Sequence, residues 1–221
     1  MTIHRLCLIC WVLFQIHGHH AMANSDVLLD IVQHCVNPHT ANYCQQCRAP
    51  RIDAACTVET ACRKTTEVWA SNPSFVAIRD IKMCGCPSTF VHGLVLPLQK
   101  ITGVEDPLRP QDIWPYAWEI ATARIEQASV ALVVNPKNFR SQNQLHVHLL
   151  RLKPQAREHI RSLMSAHTDH LMDVWTVAGE LASKQGLSDY GVLVTGHQGG
   201  GFQVVVTATS PEDAFTEYTC R

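Results

Sequence analysis

A six-residue run at 144–149 alternates polar and apolar side chains without interruption. Such an alternation is typical of a β-strand with one buried face, because successive side chains of a strand point to opposite sides of the sheet. His146 and His148 would then share one face with Gln144, and the leucine and valine side chains between them would enter the core. We therefore predict a strand that presents two imidazole rings side by side.

The spacing of these two histidines suits chemistry on phosphate. Residues i and i+2 of a strand are about 7 Å apart, so both rings can reach the same phosphate group. One ring could attack phosphorus while the other donates a hydrogen bond or a proton. The loop 138–143, rich in asparagine and glutamine, runs directly into the strand and would add amide donors. This combination indicates phosphoryl or nucleotidyl chemistry.

Other interpretations of these motifs are weaker. A His-x-His pair can be an ordinary strand surface, and it also occurs in metal sites, which need a carboxylate a few residues later. Residues 149–152 are Leu-Leu-Arg-Leu, so no carboxylate follows. The glycine-rich run 196–201 lacks the lysine and the following helix of a phosphate-binding loop and suits a hairpin turn. We expect neither a metal nor a cofactor.

The first 23 residues have the composition of a secretory signal. Arg5 supplies the positive start, residues 6–16 are apolar, and Ala21-Met22-Ala23 fits the small-residue cleavage pattern. The apolar run is shorter than a membrane span needs, although an uncleaved N-terminal anchor stays open as an alternative. We expect a signal peptide at 1–23 and one exported domain over 24–221.

The cysteines support export to an oxidising compartment. Of the ten cysteines, eight follow the predicted cleavage site, and an even number in an exported protein favours disulfide bonds. Cys84 and Cys86 would each bond to another cysteine, because a ring with one intervening residue strains the geometry of the bridge. The alternative is a zinc site in which Cys44 and Cys47 join these two residues.

The charge balance argues against one class of partner. The chain carries 18 basic and 19 acidic residues, for a formal net charge of −1, and it has no basic stripe or tail. Proteins that bind nucleic acid neutralise backbone phosphates with clustered lysine and arginine. Nucleic acid is therefore not expected as a partner.

Periodicity and turn residues predict a single domain of mixed α+β class, with no internal repeat. The first predicted elements are a short helix over 27–35 capped by Asn24 or Ser25 and a hairpin of strands 75–78 and 90–96. A helix from Asp112 to Ile125 follows, with Trp114 and Trp118 on its buried side. The remaining elements are a central strand at 130–134, the histidine strand, one or two helices that include 171–184, and a closing hairpin of 190–195 and 202–208.

Several of these motifs together resemble the histidine-triad superfamily. Its histidine strand is preceded by a strand of the type His-x-Leu-Val-x-Pro, which matches 92–97 here, and Asn135 follows the helix between them. The string 140–148, Arg-Ser-Gln-Asn-Gln-Leu-His-Val-His, resembles one branch, the bacterial CDP-diacylglycerol pyrophosphatases. That branch also has an export or anchor segment, an early cysteine-containing helix and a tryptophan-rich helix. The resemblance implies an antiparallel sheet with flanking helices and a disulfide-stapled N-terminal region.

The resemblance also implies a two-step hydrolysis of CDP-diacylglycerol to CMP and phosphatidate. The middle histidine of the superfamily attacks phosphorus, so His146 would be the nucleophile and form a nucleotidyl-histidine, and His148 would assist it. One departure is that Gln144 replaces the first histidine, although an amide can still donate and accept hydrogen bonds there. The substrate-binding residues implied are Asn135, Arg140, Gln142, Asn143 and Gln144.

The expected partners are a nucleotide-lipid substrate, a membrane surface and, as one option, a second copy of the chain. The expected location is the periplasm or the periplasmic face of the inner membrane. Two other functions stay open. The chain could hydrolyse soluble nucleotide conjugates, which relative turnover of lipid and soluble substrates would reveal. It could also be an idle, disulfide-rich module that binds nucleotides without cleaving them.

Overall fold

The computed structural model describes residues 25–36, 44, 62 and 67–220. The predicted signal peptide, and all but two residues of the cysteine-rich segment 37–65, therefore lie outside the described residues. The predictions made for them stay predictions.

The described part of the chain forms one sheet in which every strand pair is antiparallel. The strands are β1 (Val68–Ser71), β2 (Phe75–Arg79), β3 (His92–Pro97), β4 (Val130–Val134), β5 (Val147–Arg151), β6 (Ser165–Thr168), β7 (Gly191–Gly196) and β8 (Phe202–Thr207). Their order across the sheet is β1-β2-β3-β5-β4-β7-β8-β6. The wholly apolar strand β4 lies near the middle, as predicted, because both of its faces are covered.

Helices pack on both faces of this sheet, which confirms the α+β class. They are α1 (Val27–Asp30), which continues as a π-helical turn over Ile31–Cys35, α2 (Ile113–Thr122), α3 (Ala156–Ser162), α4 (Val174–Lys184) and α5 (Pro211–Phe215). Among the described helices, none combines the length and the apolar character that crossing a membrane requires.

One face of the sheet carries the main core under α2 and α4. Trp114 and Trp175 from these helices contact each other edge to face, with ring centroids 4.7 Å apart. They pack with alternate strand residues such as Leu132 and Leu149. Trp118, predicted on the buried side of α2, is only half-buried and packs edge to face on a ring of β8.

The opposite face is covered at two ends by different elements. Phe215 of α5 packs with α3 over the ends of β4, β5 and β7. Leu28 and the π-helical turn pack over β2 and β3 at the other end. His148 lies between the two groups, since its partners in register are Leu94 of β3 and Val133 of β4. The two covers therefore leave a gap above the histidines.

The structure shifts some predicted boundaries and adds elements. Strand pairing begins at Val147 rather than Gln144, because the Leu145 N–H donates to the Ile101 carbonyl (2.7 Å) and takes this stretch off the ladder. The alternation of core and cavity side chains holds from Leu145 to Leu149 but does not extend to Gln144. Asp26, not Ser25, precedes the first helical residue of α1. The sequence did not predict β1, β6 or α5.

Disulfide bonds are confirmed. Cys62 bonds to Cys84, and Cys86 bonds to Cys220 across 134 residues. Cys35 and Cys44 are disulfide-bonded as well. Cys84 and Cys86 thus pair with other cysteines, as predicted, and the zinc alternative that needed them as thiolates is wrong.

Candidate active site

His146 lies just before β5, and one of its ring nitrogens is engaged in a hydrogen bond. Its Nδ1 lies 2.7 Å from the backbone carbonyl of Gln144. A carbonyl can only accept, so Nδ1 carries the proton and Nε2 keeps a lone pair. The ring lines a cavity on the face of the sheet between the two helical covers. This is the tautomer that a nucleophilic imidazole needs.

His148 belongs to a chain of buried groups that crosses the sheet. Its Nδ1 lies 3.0 Å from Nε2 of His92 on the neighbouring strand β3. Nδ1 of His92 lies 3.2 Å from the backbone carbonyl of Tyr218, which follows α5. The two strands place these rings together because His92 and His148 point to the same face, two register positions apart.

Glu212, in the first turn of α5, is the acidic partner of this group. Its Oε1 accepts from the Lys82 ammonium at 2.9 Å, and its Oε2 accepts from the Asn135 side-chain amide at 2.7 Å. Oε2 also lies 3.5 Å from Nε2 of His148. Ser210 caps the same helix and donates to the Asn135 Oδ1 at 3.0 Å. Asn135 therefore joins the end of β4 to the C-terminal helix.

The ionisation of these groups follows from burial and charge. Burial lowers the pKa of His92 and of His146, and it lowers the pKa of His148 well below the ordinary value. Burial alone would raise the pKa of Glu212, but the Lys82 ammonium and, when it is protonated, the His148 ring outweigh burial and lower that pKa to about 2. At neutral pH the site therefore contains an anionic carboxylate beside neutral imidazoles.

Gln144, which the resemblance predicts to contact the substrate, points away from the cavity. Its amide nitrogen donates to the backbone carbonyls of Pro97 (2.9 Å) and Gln99 (2.7 Å), and its Oε1 accepts from the Ile101 N–H. The residue is fully enclosed. It thereby ties the start of the histidine strand to the end of β3 and holds the carbonyl that orients His146.

The other loop residues divide between the cavity and its support. Gln142 and Arg140 line the cavity, as does Asn135. Gln142 also accepts from the backbone N–H of Leu28, which secures α1. Arg140 makes a two-pronged ion pair with Glu105 at 2.5 and 2.8 Å. Asn143 binds Asp26 and the backbone of Ser25, outside the cavity.

The cavity has a volume of about 630 Å³ and two kinds of wall. One wall is polar and contains the two histidines of the strand, Lys82 and Glu212. The other is apolar and is formed by α1 together with side chains of β2 and β3. A pocket of this size and character is typical of a small-molecule site with a few convergent polar groups.

Three of the polar groups have the spacing of metal ligands. Nitrogen and oxygen atoms of His92, His148 and Glu212 lie within 4.8 Å of one another. However, the Lys82 ammonium already balances the carboxylate, and the two rings hydrogen-bond to each other. Hydrogen bonds therefore already link His92 to His148 and Glu212 to Lys82, and the charge of the carboxylate is balanced by the ammonium.

Some site residues were not predicted from the sequence. His92 was quoted in a motif without a role, and Glu212 and Lys82 were not singled out. The string Ser210-Pro211-Glu212 does carry a recognisable helix start, with a capping serine followed by proline. It predicts a helix there but does not indicate that the helix reaches the histidines.

Comparisons with known proteins place the chain in a family. The family model described as CDP-diacylglycerol pyrophosphatase matches residues 23–185, so the chain belongs to this family. The CDP-diacylglycerol pyrophosphatase of Mycobacterium tuberculosis is 37% identical over 82 residues, which are 32% of this chain and 31% of that protein. A probable CDP-diacylglycerol pyrophosphatase of Mycobacterium leprae is 32% identical over 81 residues, which are 32% and 30% of the two chains.

The matches also have limits that bear on the site. The chain spans about a third of the length of these curated relatives. The family match includes His92, His146 and His148 and ends before Glu212 and Tyr218. The resemblance to the CDP-diacylglycerol pyrophosphatases predicted from the sequence is confirmed.

Proposed function

We propose that this chain hydrolyses the pyrophosphate bond of CDP-diacylglycerol to CMP and phosphatidate, as a histidine-triad-like hydrolase that carries the nucleotidyl group on His146. Family membership supports the substrate. The observation that carries the chemistry is the 2.7 Å contact between Nδ1 of His146 and the Gln144 carbonyl. It leaves Nε2 as a lone-pair nucleophile on a neutral ring beside the cavity.

The reaction proceeds in two displacements. In the first, Nε2 of His146 bonds to the phosphorus next to cytidine, and the bond to the bridging oxygen breaks, so phosphatidate leaves with the electron pair. The ring becomes positively charged, and the Gln144 carbonyl stabilises that charge through the Nδ1 proton. In the second, water attacks the same phosphorus and the phosphorus–nitrogen bond breaks, which releases CMP.

The remaining predicted residues divide into two roles in this proposal. Asn135, Arg140 and Gln142 contact the nucleotide and diphosphate from the cavity wall, and Lys82 adds a cation beside them. Asn143 and Gln144 support the loop that carries His146. Their contacts with α1 and with β3 favour this supporting role.

We also propose that the protein is exported and works at a membrane surface. The signal-like residues 1–23 and the lipid part of the substrate support this location. Phe139, at the edge of the cavity, is 48% exposed and offers an apolar side chain to lipid. Sedimentation of the purified chain, with and without lipid vesicles, tests both the membrane contact and the option of a homodimer.

The deciding experiment compares residues 24–221 with the same protein carrying His146→Ala. Both are incubated with CDP-diacylglycerol in detergent, and CMP and phosphatidate are measured. We expect both products from the wild type and a loss of at least about 10⁴-fold in the variant, since the nucleophile is gone. A soluble nucleotide conjugate is tested in parallel. Faster hydrolysis of this conjugate would show that the lipid is not the preferred substrate. Nucleotide binding without any cleavage would contradict the proposed hydrolase activity.

A further inference from the structure

We infer that Glu212 is a positioning residue that, balanced by Lys82, makes His148 the proton acceptor for the water that releases the nucleotide from His146. This role rests on the proposed function and adds to it a residue beyond the family match. Three observations lead to it: the direction of a hydrogen-bond chain, the surroundings of the His148 Nε2 atom and the charge balance around that ring.

The first step is the direction of the hydrogen-bond chain. The Tyr218 carbonyl can only accept, so Nδ1 of His92 must carry a proton. His92 is buried and neutral, so its Nε2 is an acceptor, and the proton between the two rings belongs to Nδ1 of His148. The Nε2 atom of His148 is thereby left with a lone pair. A backbone carbonyl at the far end thus sets the tautomer of the ring in the cavity.

The second step is the surroundings of that lone pair. Nε2 of His148 is buried and makes no hydrogen bond in the described part of the protein. The Glu212 Oε2 faces it at 3.5 Å. A lone pair opposite a carboxylate gains nothing, but a proton that arrives on Nε2 converts the contact into an ion pair. The site is therefore arranged to take up one proton at this atom.

The third step is the charge balance around the ring. Glu212 favours the imidazolium form of His148, whereas burial, His146, His92 and Lys82 oppose it. The other charged groups nearby are Asp80, which lies 3.7 Å from Nε2 of His92, and Asp213 and Arg140 on the cavity wall. Glu212 is the carboxylate in direct reach of the His148 Nε2. Its charge decides how strong a base this ring can be.

Glu212 itself is held too firmly to be the base. Lys82 and the Asn135 amide donate to its two oxygens, at 2.9 and 2.7 Å, and both bonds favour the anion. With a pKa of about 2 it would return a proton at once. It therefore acts through His148, whose protonated form it stabilises.

The water oxygen bonds to phosphorus, one water O–H bond breaks, and that proton moves to Nε2 of His148. The phosphorus–nitrogen bond breaks, and its electron pair returns to Nε2 of His146, which keeps its Nδ1 proton on the Gln144 carbonyl. The imidazolium of His148 pairs with Glu212 until the proton passes to product or solvent.

The test measures pH–rate profiles of the full exported chain with CDP-diacylglycerol in detergent. Glu212→Gln keeps the shape but removes the charge. We expect the acid limb to move down by about one pH unit and the plateau kcat to fall at least about tenfold, because the base is weaker. Lys82→Met removes the opposing cation, so its acid limb should move up. Opposite shifts from two neighbours cannot come from a structural defect.

Rapid-mixing experiments show which step is affected. Glu212→Gln should release a burst of phosphatidate and then CMP slowly, because the first displacement does not need this base. Glu212→Asp should restore part of the rate. Glu217→Gln is the matched control, since this carboxylate lies in the same segment but outside the cavity, and we expect an unchanged profile.

Nitrogen NMR of labelled histidines makes the inference independent of activity and of any variant that fails to fold. We expect neutral His148 of the wild type to carry its proton on Nδ1. Finding it on Nε2, or finding identical acid limbs in folded Glu212→Gln and wild type, would overturn the role of Glu212. If the wild type releases neither product, the proposed function fails instead, and the NMR result still stands on its own.

Discussion

The histidine strand and the C-terminal segment 210–220 form two sides of one site, but they reach it in different ways. The strand contributes two rings from residues two positions apart, with its apolar alternates in the core. The C-terminal segment contributes a carboxylate and a backbone carbonyl, and its partners lie far away in the chain. Glu212 meets Lys82 across 130 residues, and Tyr218 meets His92 across 126.

The two contributions can be lost in different ways. The strand pairs with β3 on one side and β4 on the other, and Gln144 anchors its start, whereas the C-terminal segment depends on the short helix α5 and a covalent link. Local periodicity keeps the strand's rings on one face whatever lies above them. The segment needs its cap, its buried Phe215 and the Cys86–Cys220 bond.

The largest effect should come from breaking that covalent link. Cys86→Ser with Cys220→Ser opens a loop of 134 residues, and we expect a loss of about 5 kcal/mol in unfolding free energy and a lower kcat. Cys62→Ser with Cys84→Ser is the matched control, with a separation of 22 residues. It should cost about 3 kcal/mol and spare more of the activity. Urea unfolding and steady-state kinetics measure both; equal losses of kcat would contradict the comparison.

The next effect should come from the ring that joins the two regions. His92→Phe keeps a ring but removes both hydrogen bonds, so kcat should fall about 10²-fold with little change in KM. The Tyr218 carbonyl and Nδ1 of His148 would be left unpaired, which should cost about 1–3 kcal/mol of stability. His170→Phe, at an exposed ring outside the cavity, is the control. A normal kcat in folded His92→Phe would show that the chain from Tyr218 does not matter.

Substitution of Gln144 tests whether this residue supports the histidine strand or contacts the substrate. Gln144→Ala removes three buried hydrogen bonds, and we expect about 1–3 kcal/mol of lost stability with kcat within about tenfold of the wild type. Thermal unfolding and KM are measured together. An unchanged melting temperature with a sharply raised KM would instead favour the substrate contact that the sequence predicts.

The smallest effect should come from the cap of α5. Ser210→Ala removes the acceptor for the Asp213 N–H and the donor to Asn135, which should cost about 1 kcal/mol. We expect a slightly lower melting temperature and a kcat that falls a few-fold as Glu212 loosens. Ser162→Ala, on the exposed end of α3, is the control. Equal kinetics in the two variants would argue against a role for this cap.

Many strands of the sheet were predictable from the sequence because they depend on local patterns of apolar residues. The apolar run of β4, the hairpin of β2 and β3 and the closing hairpin of β7 and β8 were each confirmed within about two residues. β1, β6 and α5 were missed because they are short and their side chains have no clear period. The start of β5 was placed three residues early, since a hydrogen bond from Leu145 to Ile101 competes with the ladder there.

The site was predictable only in part for the same reason. Local pattern alone is enough to place His146 and His148 on one face, because a strand's period of two requires it. The tertiary structure alone decided that Gln144 supports rather than faces the cavity, and that Glu212 stands opposite His148. Those outcomes depend on hydrogen bonds between residues that are 43 to 130 positions apart. Such contacts form only when helices and strands pack, and no local pattern records them.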